Sequence, residues 1–365
     1  MNESNLRAYN FNAGPSALPL EVLEKAQSEL TNFRGTGMSI MEMSHRSVIF
    51  EEIHNGAISR MRKLFSIPDQ YEVLFLQGGA SLQFSMIPMN FLQVGQQAGY
   101  IMTGSWSEKA FKEAKLFGEP YEVVSTKENK YRNIPALEDI QINEDDAFIH
   151  LTSNNTIYGT QWSAFPDTGD IPLIADMSSD IMSKPVDINK FGMIYAGAQK
   201  NLGPSGVTVV IVRKDLLEKA NMDIPTILKY STHADNNSLY NTPPTFGIYM
   251  LGEVLNWMEA KGGLEAIAKN NEEKAKVIYD AIDHSNGFYT GHATPESRSL
   301  MNITFRVADE TLEKLFLTEA EEAGFVGLNG HRSVGGCRAS TYNAVPLEAC
   351  QALGDFMVQF QKKHS

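Results

Sequence analysis

Residues Tyr195-Ala196-Gly197-Ala198-Gln199-Lys200-Asn201-Leu202-Gly203-Pro204-Ser205-Gly206 decide how this chain folds. The apolar run 193–196 leads straight into a lysine with small neighbours. A Gly/Pro turn follows, and then a second apolar run at 207–212. Short apolar runs bounded by turn signals mark strands buried on both faces. Lys200 therefore stands at the end of a buried strand, where desolvation lowers the pKa of an amine and fits it for imine chemistry. Taken alone, the same lysine reads more readily as a solvated residue opening a β-turn.

Working outward, apolar runs at 72–76, 100–102, 121–124, 147–151, 172–175, 193–196 and 207–212 are interspersed with helical patterns, one from Ser81 and one over 106–117. Buried strands separated by helices predict an α/β fold, a mostly parallel seven-stranded sheet flanked by helices. The pattern changes at Gly262-Gly263. Helices over 245–261 and 264–283 flank that pair. Beyond it come a strand at 300–307, a helix at 310–322, a strand at 336–341 and a last helix from Pro346. This predicts a smaller α+β C-terminal domain, with 16–263 as the large domain and 1–15 plus 264–365 as the small one.

Four further features lie at strand ends. Asp176 closes the 172–175 run, and in a parallel sheet ligands bind beyond the carboxyl ends of the strands. A carboxylate there can pair with a protonated pyridine nitrogen; its other reading is a helix N-cap before Ser178 and Ser179. Gln77-Gly78-Gly79-Ala80-Ser81 reads as strand, glycine turn and helix start. Its free N–H groups and the Ser81 hydroxyl suit a phosphate, although a tight connection would look the same. Trp106, after Thr103-Gly104-Ser105, suits stacking on a flat ring or plain core packing. Thr156 lies in the polar loop Ser153-Asn154-Asn155-Thr156-Ile157-Tyr158-Gly159, placed to bond a ring substituent or to stabilise the loop. Each feature fits a different part of one molecule, and together they point to pyridoxal 5′-phosphate on Lys200.

Composition narrows the partners. Of 365 residues, 42% are hydrophobic and 21% charged, which excludes a disordered chain. Acidic residues outnumber basic ones 44 to 31, giving a net charge of −13 and arguing against nucleic acid. Against that background His45-Arg46 and His331-Arg332, with Arg338, gather positive charge in two short blocks. Arginine forks bind phosphate and carboxylate bidentately, so small anionic amino acids and oxo acids are the expected ligands; surface ion pairs are the plainer reading. Cys337 and Cys350 are too few for a disulfide framework and lack metal-ligand spacing, so no metal is expected. No apolar run approaches the ~20 residues of a membrane helix, and no secretory signal opens the chain. A soluble cytoplasmic protein without a membrane partner is expected. No G-x-G-x-x-G follows the first strand, which argues against a dinucleotide.

Longer motifs carry a resemblance. They are Asn10-Phe11-Asn12-Ala13-Gly14-Pro15-Ser16, Met43-Ser44-His45-Arg46-Ser47, Gln77-Gly78-Gly79-Ala80-Ser81 and Asp176-Met177-Ser178-Ser179. They continue through Gln199-Lys200-Asn201-Leu202-Gly203-Pro204, Asn241-Thr242-Pro243-Pro244 and His331-Arg332-Ser333-Val334-Gly335-Gly336-Cys337-Arg338-Ala339-Ser340. In these the sequence resembles the class V, fold type I aminotransferases, and among them the phosphoserine aminotransferase family.

The resemblance implies a homodimer with active sites shared between chains. Lys200 would carry the cofactor and move protons, Asp176 would hold the pyridine nitrogen, and Trp106 would stack on the ring. Ala80, Ser81 and Gln199 would bind the cofactor phosphate, with Asn241 and Thr242 reaching it from the other chain. Arg338 would grip the substrate α-carboxylate. His331 and Arg332, with His45 and Arg46 from the other chain, would receive the substrate phosphate or the glutamate side chain. The implied reaction is reversible amino transfer between L-glutamate and 3-phosphohydroxypyruvate in serine biosynthesis, extended in some relatives to 4-phosphohydroxy-L-threonine in pyridoxine biosynthesis. Some members carry arginine where this chain has Ser81, which leaves one cation fewer here. The alternatives are an alanine–glyoxylate type aminotransferase and a non-catalytic binder of an anionic metabolite. A cysteine desulfurase would need a mobile nucleophilic cysteine, whereas Cys337 lies in a strand-like block and Cys350 in the last helix.

Overall fold

In the computed structural model, which describes residues 7–365, seven strands form the central sheet. Residues 1–6, part of the expected N-terminal arm, lie outside the described residues. The strand order is Tyr71–Leu76, Thr208–Arg213, Met193–Gly197, Leu173–Asp176, Ile149–Thr152, Gln97–Met102 and Glu119–Ser125. Thr208–Arg213 runs antiparallel to both its neighbours, and the other six strands are mutually parallel. The reversal has a local cause. Antiparallel strands accept a short connection, which the Gly203-Pro204-Ser205-Gly206 turn provides, whereas parallel ones need a long crossover. The six parallel strands therefore present their carboxyl ends along one edge, Asp176 and Gly197 among them.

Both faces of the sheet are covered. On one, Leu151, Ala175, Ile194, Val209 and Ile211 pack under helices Val48–Leu64 and Thr245–Ala260. On the other, Tyr100, Phe148, Ile174, Met193, Tyr195 and Val210 pack under Gly79–Phe91 and Ser105–Ala114. Burial on both faces explains why these strands read as continuous apolar runs. Thr245–Ala260 has ten buried residues spread round its circumference, the pattern of a helix enclosed on all sides.

After Gly263 the chain builds a separate core. Helices Gly263–Asp283, Glu310–Glu322 and Leu347–His364 cover a three-stranded antiparallel sheet of Tyr289–Gly291, Asn302–Val307 and Cys337–Ser340. Asp309 caps the middle helix through Thr311 N and Leu312 N at 2.8 and 2.9 Å, a bond set typically worth about 1 kcal/mol. The N-terminal arm joins this part: Tyr9–Asn10 pairs in parallel with Phe325–Val326, and Phe11 enters the same core. Among the described residues no helix is long and apolar enough to cross a membrane.

Candidate active site

Strand ends and the loops after them build one cavity of about 130 Å³. Ala80, Ser81, Trp106, Thr156, Asp176, Gln199 and Lys200 line it, so seven of the residues singled out from sequence meet there. Three larger cavities, of about 790, 760 and 180 Å³, lie between Gly263–Asp283 and Leu347–His364, beside the N-terminal arm, and between Gly78 and His233. None gathers polar groups around a nucleophile.

Each wall has a local reason. Gly78 takes φ +91° to turn the strand into the helix, and a Cβ there would lie 2.6 Å from Leu82 Cβ. Only glycine fits both demands. Helix Gly79–Phe91 then starts with no side chain capping it, so its first N–H groups face the cavity as an anion site. Trp106 is fixed by Ser107, whose hydroxyl accepts from Thr103 N and Gly104 N, both at 3.1 Å. The adjoining loop is tied to that turn, because Asn155 Nδ2 donates to Thr103 Oγ1 at 3.1 Å. That loop presents Thr156.

Lys200 Nζ donates to Thr156 Oγ1 at 2.7 Å and lies 5.6 Å from the Trp106 ring centre. Lys200 keeps some surface exposed, but enough protein surrounds its amine that desolvation pulls the pKa to about 8, against the opposing charge of Asp176. The N-terminal arm steadies its loop from behind. Ser16 N donates to Gln199 O at 3.0 Å, the Ser16 hydroxyl bonds Lys200 O, and Gly14 approaches so closely that a Cβ would sit 3.2 Å from Lys200 Cγ.

Asp176 is 4% exposed, and burial raises its pKa while Ser178 and Lys200 work the other way. Its Oδ1 accepts from Ser178 N at 2.9 Å. Turns rather than a helix follow it, so the helix-cap reading gives way to an Asx-turn that holds the carboxylate at the cavity floor.

Arg338, on Cys337–Ser340, reaches across to donate to Thr156 O at 3.2 Å. Thr156 thus joins Lys200 to the C-terminal part. His331 lies close enough to Arg338, Arg332 and Lys109 that burial first, and then these three cations, lower its pKa. Arg332 is exposed. His45 and Arg46 lie outside the cavity, half-buried and exposed respectively. Asn241 and Thr242 are exposed beside the glycine turn, where Gln77 Nε2 donates to Thr242 O at 3.2 Å.

Several residues escaped the sequence reading. Thr152, Asn154, Ser178 and Ser179 also line the cavity, and the two serines could have been found as the residues following Asp176. Asn302, fully buried, accepts from Asn154 Nδ2 at 2.8 Å and donates to Ser340 Oγ and Tyr342 OH at 3.0 and 3.1 Å. Tyr342 OH donates in turn to Ala13 O at 2.7 Å. No local pattern announces partners so far apart in sequence.

Pyridoxal phosphate fits this arrangement. Trp106 Nε1 and Thr152 Oγ1 are buried without a partner in the protein, a cost normally offset by a ligand or water. The same wall offers an uncapped helix start for a phosphate, a carboxylate for a ring nitrogen and an amine for a carbonyl.

Comparison with known proteins agrees with this geometry. The family model "Aminotransferase class-V" matches residues 8–353. A phosphoserine aminotransferase of Lysinibacillus sphaericus is 78% identical over 98% of this chain and 99% of its own. The solved phosphoserine aminotransferase from Bacillus circulans subsp. alkalophilus superposes with a TM-score of 0.97 at 60% identity, covering 98% of this chain and 99% of that one. A PLP-bound phosphoserine aminotransferase from Trichomonas vaginalis gives 0.91 at 42%, covering 96% and 100%.

Proposed function

The chain belongs to the class-V aminotransferases, and from that premise we infer its reaction: reversible, pyridoxal phosphate-dependent amino transfer between L-glutamate and 3-phosphohydroxypyruvate, giving 2-oxoglutarate and O-phospho-L-serine. The observation that carries this reading is the match to a phosphoserine aminotransferase at 78% identity over 98% of the chain.

When bound, the cofactor supplies an electrophilic carbonyl and a ring that accepts the electron pair released at the substrate Cα. The protein's part is to bind, orient and move protons. Lys200 would anchor the cofactor through Nζ, and its free amine would take the Cα proton of the substrate. An amine titrating near 8 is roughly one-tenth neutral at pH 7, against fewer than about one in a thousand for an ordinary lysine. Asp176 holds a proton on the ring nitrogen, and a cation opposite it offsets the cost of burying its charge. Trp106 stacks on the ring, Thr156 bonds its hydroxyl side, and Ala80, Ser81 and Gln199 take the phosphate. Arg338 fixes the α-carboxylate, while His331 and Arg332 face the far end of the substrate.

The site draws on two chains of a homodimer, with His45, Arg46, Asn241 and Thr242 reaching into the neighbouring subunit. Two observations support this. Neither pair lines the cavity of its own chain, and Met38, Met41, Val48 and Tyr240, close in sequence to the two pairs, are 45, 56, 70 and 47% exposed. Residues 16–263 serve as the cofactor domain, and 264–365 with the arm as the small domain, each with its own core. The enzyme works in the cytoplasm, and the same site accepts 4-phosphohydroxy-L-threonine.

Subunit exchange tests the shared site. Lys200→Ala and Arg46→Ala dimers are each inactive or weak alone. A mixed dimer holds one site with both lesions and one with neither, so activity returns toward about half by counting under two-fold symmetry. Verified exchange without recovery would place His45 and Arg46 elsewhere.

Selectivity tests the substrate. Arg46→Ala and Arg332→Ala are each expected to raise KM for phosphoserine about tenfold to a hundredfold, the span for a lost charge-assisted bond. Both should leave alanine far less affected. Arg338→Ala weakens both substrates alike, because the α-carboxylate is common to them. Equal losses on both substrates for Arg46→Ala and Arg332→Ala would move phosphate recognition to other residues.

A further inference from the structure

Lys109 has no role in the mechanism above, yet its surroundings single it out. It lies one helical turn after Trp106 on Ser105–Ala114, with its ammonium 4.2 Å from the centre of the Trp106 ring. Lys200 approaches the same indole at 5.6 Å, so one aromatic side chain of the cavity wall carries two amines.

The acids nearest to Lys109 on its helix are committed elsewhere. Glu108 accepts from Lys127 Nζ at 2.7 Å and Tyr131 OH at 2.6 Å. Glu113, at the i+4 position where a lysine would seek a partner, accepts from Ser85 Oγ at 3.0 Å. Among the described residues Lys109 makes no ion pair. An indole face holds an ammonium without neutralising it, so the full charge is available. The charged groups whose fields reach His331 are Arg338, which donates to Thr156 O at 3.2 Å, Arg332 and Lys109, all cations. Lys109 thus lies within the field of the His331-Arg332 block in a chain of net charge −13, while Ser81 leaves the helix start at Gly79 without a charged side chain.

We propose that Lys109 is a specificity-determining residue whose ammonium, carried on the Trp106 indole, joins His331 and Arg332 in an anion-binding cluster and takes the phosphate of the substrate. This rests on the reading that the substrate is phosphorylated. Its chemistry follows from charge. A phosphate monoester carries close to two negative charges at pH 7, and more than one cation is needed to offset its desolvation.

The test uses the holoenzyme with Lys109→Met, which keeps an apolar stem over the indole, and Lys109→Arg, which keeps the charge. Three quantities are measured: kcat and KM for O-phospho-L-serine and for L-alanine, the inhibition constant of inorganic phosphate, and the titration of His331 by NMR. Lys109→Met is expected to lower kcat/KM for phosphoserine about tenfold, mostly through KM, as for the loss of one charge-assisted bond. It should cost far less with alanine, weaken inhibition by phosphate and raise the His331 pKa. Lys109→Arg should restore all three. Unchanged phosphoserine kinetics in Lys109→Met, or equal losses on both substrates, would overturn the proposal, the second result meaning that Lys109 acts through Trp106 and the cofactor. A wild-type enzyme that fails to prefer phosphoserine to alanine would instead overturn the substrate reading on which the proposal rests.

Discussion

Lys200→Ala is expected to lower transamination by about 10⁴-fold or more, the upper range for removing a general acid–base group, because in the proposed mechanism the same residue is also the covalent anchor. The fold should survive. Lys200 makes no ion pair among the described residues, and its loop is held by Ser16 on backbone atoms that the substitution leaves in place. Borohydride reduction followed by peptide mapping reads the anchor directly. Wild type should yield a cofactor adduct on the Lys200 peptide, and the variant none, at a melting temperature within a few degrees of wild type. A variant that kept a substantial fraction of the wild-type rate would remove Lys200 from the chemistry and reduce it to the turn residue that its local sequence taken alone favours.

Asp176→Asn should give the second-largest loss, with a different signature. The amide keeps an oxygen to accept from Ser178 N, now at 2.9 Å, so the turn persists and the cavity keeps its shape. What disappears is the charge that, in the proposed mechanism, holds a proton on the ring nitrogen. Losing one preorganised electrostatic partner of this kind costs about a hundredfold to a thousandfold in kcat. Stability should not fall, because burial already disfavours the charged form of Asp176 and a neutral amide is cheaper to bury. Measured together, kcat and melting temperature separate the two readings. Near-normal kcat with reduced stability would make Asp176 a structural turn residue.

The sheet was legible because its strands are buried on both faces and therefore read as unbroken apolar runs. The edges of those runs were less so. The run at 172–175 ends in the structure at Asp176, whose backbone pairs with Thr152 and Tyr195; the ladder carries a carboxylate that a hydropathy reading stops short of. The strand read at 121–124 extends over Glu119–Ser125, where an edge position tolerates polar residues at both ends. Helices Leu20–Glu29 and Val48–Leu64 went unassigned because they precede the first buried strand and bury only two of ten and five of seventeen residues, which leaves no apolar run to mark them.

In the site, the strand-end residues were legible for a topological reason: parallel strands bring their carboxyl ends to one edge, so Asp176, Lys200 and Thr156 need only be recognised as strand-end residues. The supporting shell was not. Asn302 meets Asn154 across 148 residues, and Ser16 meets Lys200 across 184. No local sequence pattern marks Lys109; the position of Trp106 and the occupied acids around it set it apart.

Steady-state turnover with L-glutamate as donor tests the central claim most directly, comparing 3-phosphohydroxypyruvate with pyruvate and glyoxylate as acceptors. The account predicts kcat/KM for 3-phosphohydroxypyruvate higher by at least about a hundredfold, the preference expected when two charge-assisted contacts engage the phosphate. Comparable or greater turnover with pyruvate or glyoxylate would contradict it, and would leave a class-V aminotransferase whose basic residues serve some other anion.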